Sequence, residues 1–188
     1  FRSTNVEIII EQILDTDAPQ FFPKDPAESV ISRTQNLREF EVGGGISYGV
    51  YVNYAFVRVN AEQAIGHEPD WKTFKRYVQF SVDEGRVNGG LKNNDELVWW
   101  ASDNLITTLA LAIENDQGDG FEQNLINVIH FEMCYLIDPM HGLSIWSVNR
   151  QGRPVNRVVL GQWKAAFHEV RAKTALVRAL LSRDKNAD

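Results

Sequence analysis

Gly45-Ile46-Ser47-Tyr48-Gly49 fits G-x-S-x-G, the pattern that holds a nucleophilic serine on a sharp strand-to-helix turn. Acids and histidines follow in the order such a triad needs: Asp103, Asp116 and Asp138, then His141 and His168. The chemistry would be acyl transfer, with imidazole drawing the serine proton. Only 46 residues precede Ser47, however, and they read as two helices rather than a sheet. No HGG-type oxyanion segment precedes it either. A small serine hydrolase is therefore the alternative reading, and Ser47 is expected to be structural.

His130 and Cys134 lie four apart, a spacing found in pairs of metal ligands. A site needs a third ligand, which Glu132 on another helix face and His141 beyond Pro139 do not supply. The His130-Phe131-Glu132 triplet has the H-x-E of zinc deaminases, but a single cysteine cannot complete their second motif. Asn115–Gly120 has the look of a calcium loop, yet its numbering places Ile126 where the bidentate glutamate belongs. Neither a phosphate-binding G-x-x-x-x-G-K-[ST] nor a complete G-x-G-x-x-G is present. No catalytic residue, cofactor or metal is expected on these grounds.

The strongest periodic signal is basic. Lys164, Arg171, Arg178 and Lys185 recur every seven residues, about two helical turns, and so share one face. Arg150, Arg153 and Arg157 lie just upstream. Residues 150–188 hold nine basic and three acidic side chains, a net charge of +6 in a chain whose total is −6, which leaves −12 for residues 1–149. An acidic body with a basic tail points to a polyanion partner. The function expected from this pattern is a non-enzymatic, self-assembling coat or nucleoprotein subunit. Those seven residues would contact the phosphates of RNA or another single strand. A protein–protein interaction module is a further alternative.

The elements that must position these residues read as helices. Val6–Leu14 and Pro26–Phe40 have helical patterns, the second opened by an Asp25 cap. The stretch Ile46–Val59 fits either strand or helix, with helix favoured in its second half. A helix capped by Asp70 ends near Gly85, and Val87–Asn94 is a turn-rich link. Asp95–Asn115 and Phe121–Ile137 are the next helices. In the first, Trp100 faces inward and Trp99 lies at a boundary. Ser144–Val148 and Val155–Leu160 can pair as a hairpin. The last helix starts at Gly161 and ends near Ser182. Its apolar stripe, from Trp163 through Val170 and Val177 to Leu181, faces the core.

The expected fold is a mainly α single domain with a small β-hairpin element and a basic, amphipathic C-terminal helix. Its acidic body is 1–149, and residues 150–188 pack on the same domain. At 188 residues, 44% hydrophobic and 23% charged, the chain can bury a core. No apolar run approaches the roughly 18–20 residues of a membrane span. One cysteine excludes a disulfide framework and fits a reducing compartment such as the cytoplasm. The chain opens on Phe1 rather than Met, so a removed leader remains open.

Overall fold

In the computed structural model, residues 41–42, 45–93, 95–159 and 167–185 are described. The two helices expected within 1–40, and Lys164, lie outside the described residues. The fold is mainly α. A short antiparallel pair, β1 (Glu41–Val42) with β2 (Gly45–Ile46), precedes α1 (Tyr48–Ala64). Next come α2 (Trp71–Gly85), β3 (Arg86–Val87), β4 (Gly90–Asn93), β5 (Glu96–Val98) and α3 (Trp99–Glu114). After α4 (Glu122–Phe131) one π-helical turn, Glu132–Leu136, leads into β6 (Ile137–Asp138). The remaining elements are β7 (Leu143–Ser144), β8 (Ser147–Val148), β9 (Pro154–Asn156) and α5 (Phe167–Lys185). Helices α1 and α5 both pack against α3, while α2 backs α1 and α4 backs α3. Helix α3 is therefore the hub, and its residues 101–110 are all buried.

The ambiguous stretch resolves as helix from Tyr48 onward. Two glycines explain how α1 seats: a Cβ on Gly85 would meet the Tyr48 ring at 2.3 Å, and one on Gly49 would meet Ala101 Cβ at 2.6 Å. The end of α1 is tied to the start of α2 by charge. Buried Arg58 donates from Nε to Glu62 Oε1 at 3.0 Å and from Nη2 to Asp70 Oδ2 at 3.4 Å. Glu62 Oε2 accepts from the Asp70 backbone N–H at 2.8 Å.

Asp70 caps α2 as expected, accepting from the Thr73 N–H at 3.0 Å. Burial alone would raise its carboxyl, but the bonds from Thr73 and the charges of Arg58 and Arg76 outweigh that and hold it low. A depressed carboxyl stabilises the fold above its ordinary pKa and loses that contribution as pH falls through the lowered value. Asp70→Ala should cost about 1 kcal/mol at pH 7, the usual worth of a cap. The difference from wild type should shrink toward zero below about pH 3, given a reference carboxyl near 3.9. Urea melts at pH 7 and pH 3 check this.

The sheet is larger than one hairpin. Five short antiparallel strands run in the order β3-β4-β5-β8-β9. Within the expected link Val87–Asn94, residues 87–93 join Arg86 in the first hairpin around Asn88-Gly89, whose φ values of 52° and 98° are those of a tight two-residue turn. Glu96–Val98 is strand rather than helix, because Leu97 and Val98 pair with Val148 and Ser147. Helix α3 starts only where the Trp99 N–H reaches Trp146 O at 3.1 Å. The expected pairing around residues 151–154 is present between β8 and β9, whereas Ser144 pairs back with Ile137.

One core lies among α1, α2, α3, α4 and α5, with Val52, Phe74, Tyr77, Leu105 and Leu109 fully buried. A second lies under the sheet: Leu97, Trp99, Phe131, Leu136, Ile145 and Val148. Trp99 is thus the buried tryptophan and Trp100 the half-buried one, the reverse of the sequence expectation. Among the described residues no helix is long and apolar enough to cross a membrane.

Candidate functional site

Helix α3 is the most deeply buried helix, yet Ser102, Asp103, Asn104, Thr107 and Thr108 are all interior residues of it. Buried polar groups cost free energy unless satisfied. Two of them bond the backbone of α1. Asn104 Nδ2 donates to Gly49 O at 3.3 Å, and the Thr108 hydroxyl lies 2.9 Å from Val52 O and 2.7 Å from its own Asn104 O. The missing side chain at Gly49 permits that approach. Gly49→Ala should lower stability by about 1–3 kcal/mol, the usual range for overpacking. A thermal melt of Gly49→Ala beside wild type checks this.

The other polar groups converge from three helices. On α1, Gly49, Asn53 and Phe56 share a face at helical spacing. On α5, His168, Arg171, Ala172 and Ala175 do the same, and the alanines let α5 lie close to α3. Arg171 Nη2 donates to Asn53 Oδ1 at 3.3 Å and to Asn104 Oδ1 in a short hydrogen bond. His168 Nδ1 is 3.0 Å from Asn104 Oδ1 and 3.3 Å from Arg171 Nη2. The guanidinium lies over the Phe56 ring at 4.9 Å and the Phe167 ring at 5.0 Å. Trp99 and Phe167 each meet the His168 ring edge-on, both at 5.3 Å.

Burial pushes the Arg171 guanidinium down to about 10, against the upward pull of buried Asp103, so it stays charged at neutral pH. Removing a charge from water costs several kcal/mol, and an ordinary helix face would not incur that. A perturbed charge beside an imidazole, among aromatic rings, makes this cluster the candidate functional site.

The basic ridge looks different in space. Arg171 turns inward, and only Arg178 of the heptad series is seen on the exposed side. The side chain of Lys185, like Lys164, is outside the described residues. Arg150 pairs with Asp95 at 3.2 Å. Arg153 and Arg157 are exposed, Arg157 close enough to Asp138 to help hold that carboxyl low, behind the hydrogen bonds from His141 and Met140. The stripe expected to face the core is outward instead: Val170, Val177, Leu180 and Leu181 are all more than half exposed. Heptad spacing reports which residues share a face, not which way that face turns. Here two amide acceptors and the small Ala172 and Ala179 draw the other side of the helix onto α3.

Ser47 is buried, and its Oγ has no hydrogen-bond partner among the described residues. It precedes α1 as a cap residue and bridges Asn93 in the backbone. A nucleophile needs an adjacent base and access; Ser47 is buried, and among the described residues no base adjoins its Oγ. The second glycine of the motif, Gly49, serves helix packing. His130 and Cys134 touch, with Sγ 3.4 Å from Nε2, on an exposed surface. Among the described residues no three potential metal ligands gather.

The likenesses of the chain are structural. Its fold resembles the cellobiose 2-epimerase of Bacillus thermoamylovorans B4167 with a TM-score of 0.66 and 18% identity, over 84% of this chain and 45% of that one. The cellobiose 2-epimerase of Spirochaeta thermophila DSM 6192 gives 0.66 and 18%, over 97% and 51%. A D-mannose isomerase gives 0.64 and 11%, over 82% and 41%. The chain spans about half the length of these enzymes. No family model and no curated protein matches it in sequence. This likeness, with Arg171 turned inward, overturns the coat or nucleoprotein reading and its nucleic-acid contacts. Sequence reasoning missed Asn53, Asn104 and His168 as a group. The available signal was the polar run Ser102-Asp103-Asn104 inside the most apolar helix, facing the i, i+3 pair His168 and Arg171.

Proposed function

We propose that this chain carries a carbohydrate site and moves a proton on a reducing sugar, as a sugar epimerase or aldose–ketose isomerase. The convergence of His168, Arg171, Asn53 and Asn104 between aromatic rings carries this reading. Rings suit the apolar faces of a sugar, while amides and a guanidinium suit its hydroxyls and carbonyl. The likeness to cellobiose 2-epimerases and a D-mannose isomerase supports the same substrate class.

The chemistry follows from the groups present. Imidazole is the side chain suited to taking and returning a proton near neutral pH. His168 removes the proton on C2, α to the carbonyl; the C–H electron pair becomes the C1=C2 double bond, and the carbonyl π pair moves onto the oxygen. Arg171 and the amides stabilise the resulting negative oxygen in a water-poor setting. Return of the proton to C1, with the C2 hydroxyl proton passing to O1, yields the ketose; delivery of a proton to the opposite face of C2, after the enediolate turns in the site or from a second donor, yields the epimer.

A second reading has its own observation. The partners from α1 and α3 are the amides Asn53 and Asn104, which bind hydroxyls but transfer no protons at neutral pH. That favours sugar binding without turnover. Incubating the protein with D-mannose and with cellobiose, and following product signals by proton NMR, tests the first reading. A new sugar is the expected result. Calorimetric binding without conversion moves the assignment to the second reading, and neither binding nor conversion overturns both.

A further inference from the structure

We infer that Asn104 is a positioning residue that fixes His168 in the Nδ1–H tautomer and leaves Nε2 as the basic nitrogen. The importance of that nitrogen rests on the proton-transfer reading above, but the tautomer does not.

The argument is a count of protons. Asn104 Nδ2 points at Gly49 O, 3.3 Å away, so its Oδ1 faces the opposite side. A flipped amide would put its NH2 against a guanidinium and its oxygen against a carbonyl, two repulsive contacts in place of two hydrogen bonds. The orientation is therefore set by the α1 backbone. Arg171 Nη2 carries two hydrogens, and Asn53 Oδ1 and Asn104 Oδ1 accept them. None remains for His168 Nδ1, although that atom is 3.3 Å from the same nitrogen. Nδ1 is also 3.0 Å from Asn104 Oδ1, an atom that only accepts. The contact is a hydrogen bond only when Nδ1 bears the proton. Both lone pairs of Asn104 Oδ1 are then used, one by Arg171 and one by His168. In neutral imidazole the other nitrogen, Nε2, then holds the lone pair.

Asn104 thereby couples three helices to one protonation state. Gly49 on α1 sets the amide, the amide on α3 sets the ring, and the ring on α5 presents its base. A hydrophobic replacement of similar size would keep the packing and remove the choice.

Nitrogen-15 ring shifts of histidine-labelled protein report the tautomer directly. His168→Gln assigns the signal among the four histidines. Wild type at a pH where the ring is neutral should show the Nδ1–H pattern. Asn104→Leu should lose it in favour of Nε2–H, and Asn104→Asp, which keeps the acceptor, should retain it. Should Asn104→Leu not fold, the wild-type pattern and Asn104→Asp still decide. An Nε2–H ring in wild type, or an unchanged Nδ1–H ring in folded Asn104→Leu, overturns the inference. An Nδ1–H ring in a protein that turns over no sugar supports it, while counting against the proton-transfer reading alone.

Discussion

Glu62→Ala should lower the unfolding free energy by about 3–5 kcal/mol, the expected cost of stranding one member of a buried ion pair. Arg58 and Glu62 are both almost fully buried and meet at 3.0 Å. The change leaves a guanidinium in the interior beside the more exposed Asp70, at 3.4 Å. It also strips the Asp70 N–H of its acceptor at the start of α2. The double replacement Arg58→Met with Glu62→Leu should recover much of the loss, since apolar residues of similar volume often substitute for a buried pair without penalty. Urea denaturation of the three proteins measures both values. Loss below about 1 kcal/mol for Glu62→Ala would mean that water reaches Arg58 and that the α1–α2 junction is a surface contact.

The second large effect concerns chemistry rather than stability. His168→Asn should reduce sugar conversion by about 10²–10⁴-fold, the usual contribution of a positioned acid–base group. Sugar affinity should change far less, because Arg171, Asn53 and the rings remain. The replacement keeps a polar side chain near Asn104 and so leaves the α3–α5 packing intact. Initial rates beside calorimetric affinities separate the two effects. Equal losses in rate and affinity would make His168 a binding residue only.

The helical architecture was legible because its signals are local. Asp70 caps α2, and the Gly118–Gly120 turn and Pro139 mark the ends of α3 and of the α4–π-turn segment. Heptad spacing put Arg171 and Arg178 on one face of α5, yet Arg171 turns inward while Arg178 is exposed, because facing is decided by partners that sequence spacing does not show. The acceptors for Arg171 lie 118 and 67 residues away, in Asn53 and Asn104. The β5 strand was hidden for a similar reason: Leu97 and Val98 pair with residues 51 and 49 positions further along. The Asn88-Gly89 turn, by contrast, was a local signal open to reading, with both residues at positive φ. Net charge misled because it counts side chains without regard to burial. Arg171 contributes to a basic tail in composition and to an interior cluster in space.

Solvent deuterium exchange tests the central claim most directly. D-Mannose and, separately, cellobiose are incubated with the wild-type protein in D2O, and the C2 proton of the reducing sugar is followed by NMR. A base that takes the C2 proton and trades it with solvent before returning it leaves deuterium at that carbon, even when little product accumulates. The account predicts loss of the C2 signal with wild type, and its retention with His168→Asn. Retention of the C2 proton by wild type, under conditions where calorimetry shows the sugar bound, would contradict the proton-transfer account and leave a sugar-binding site.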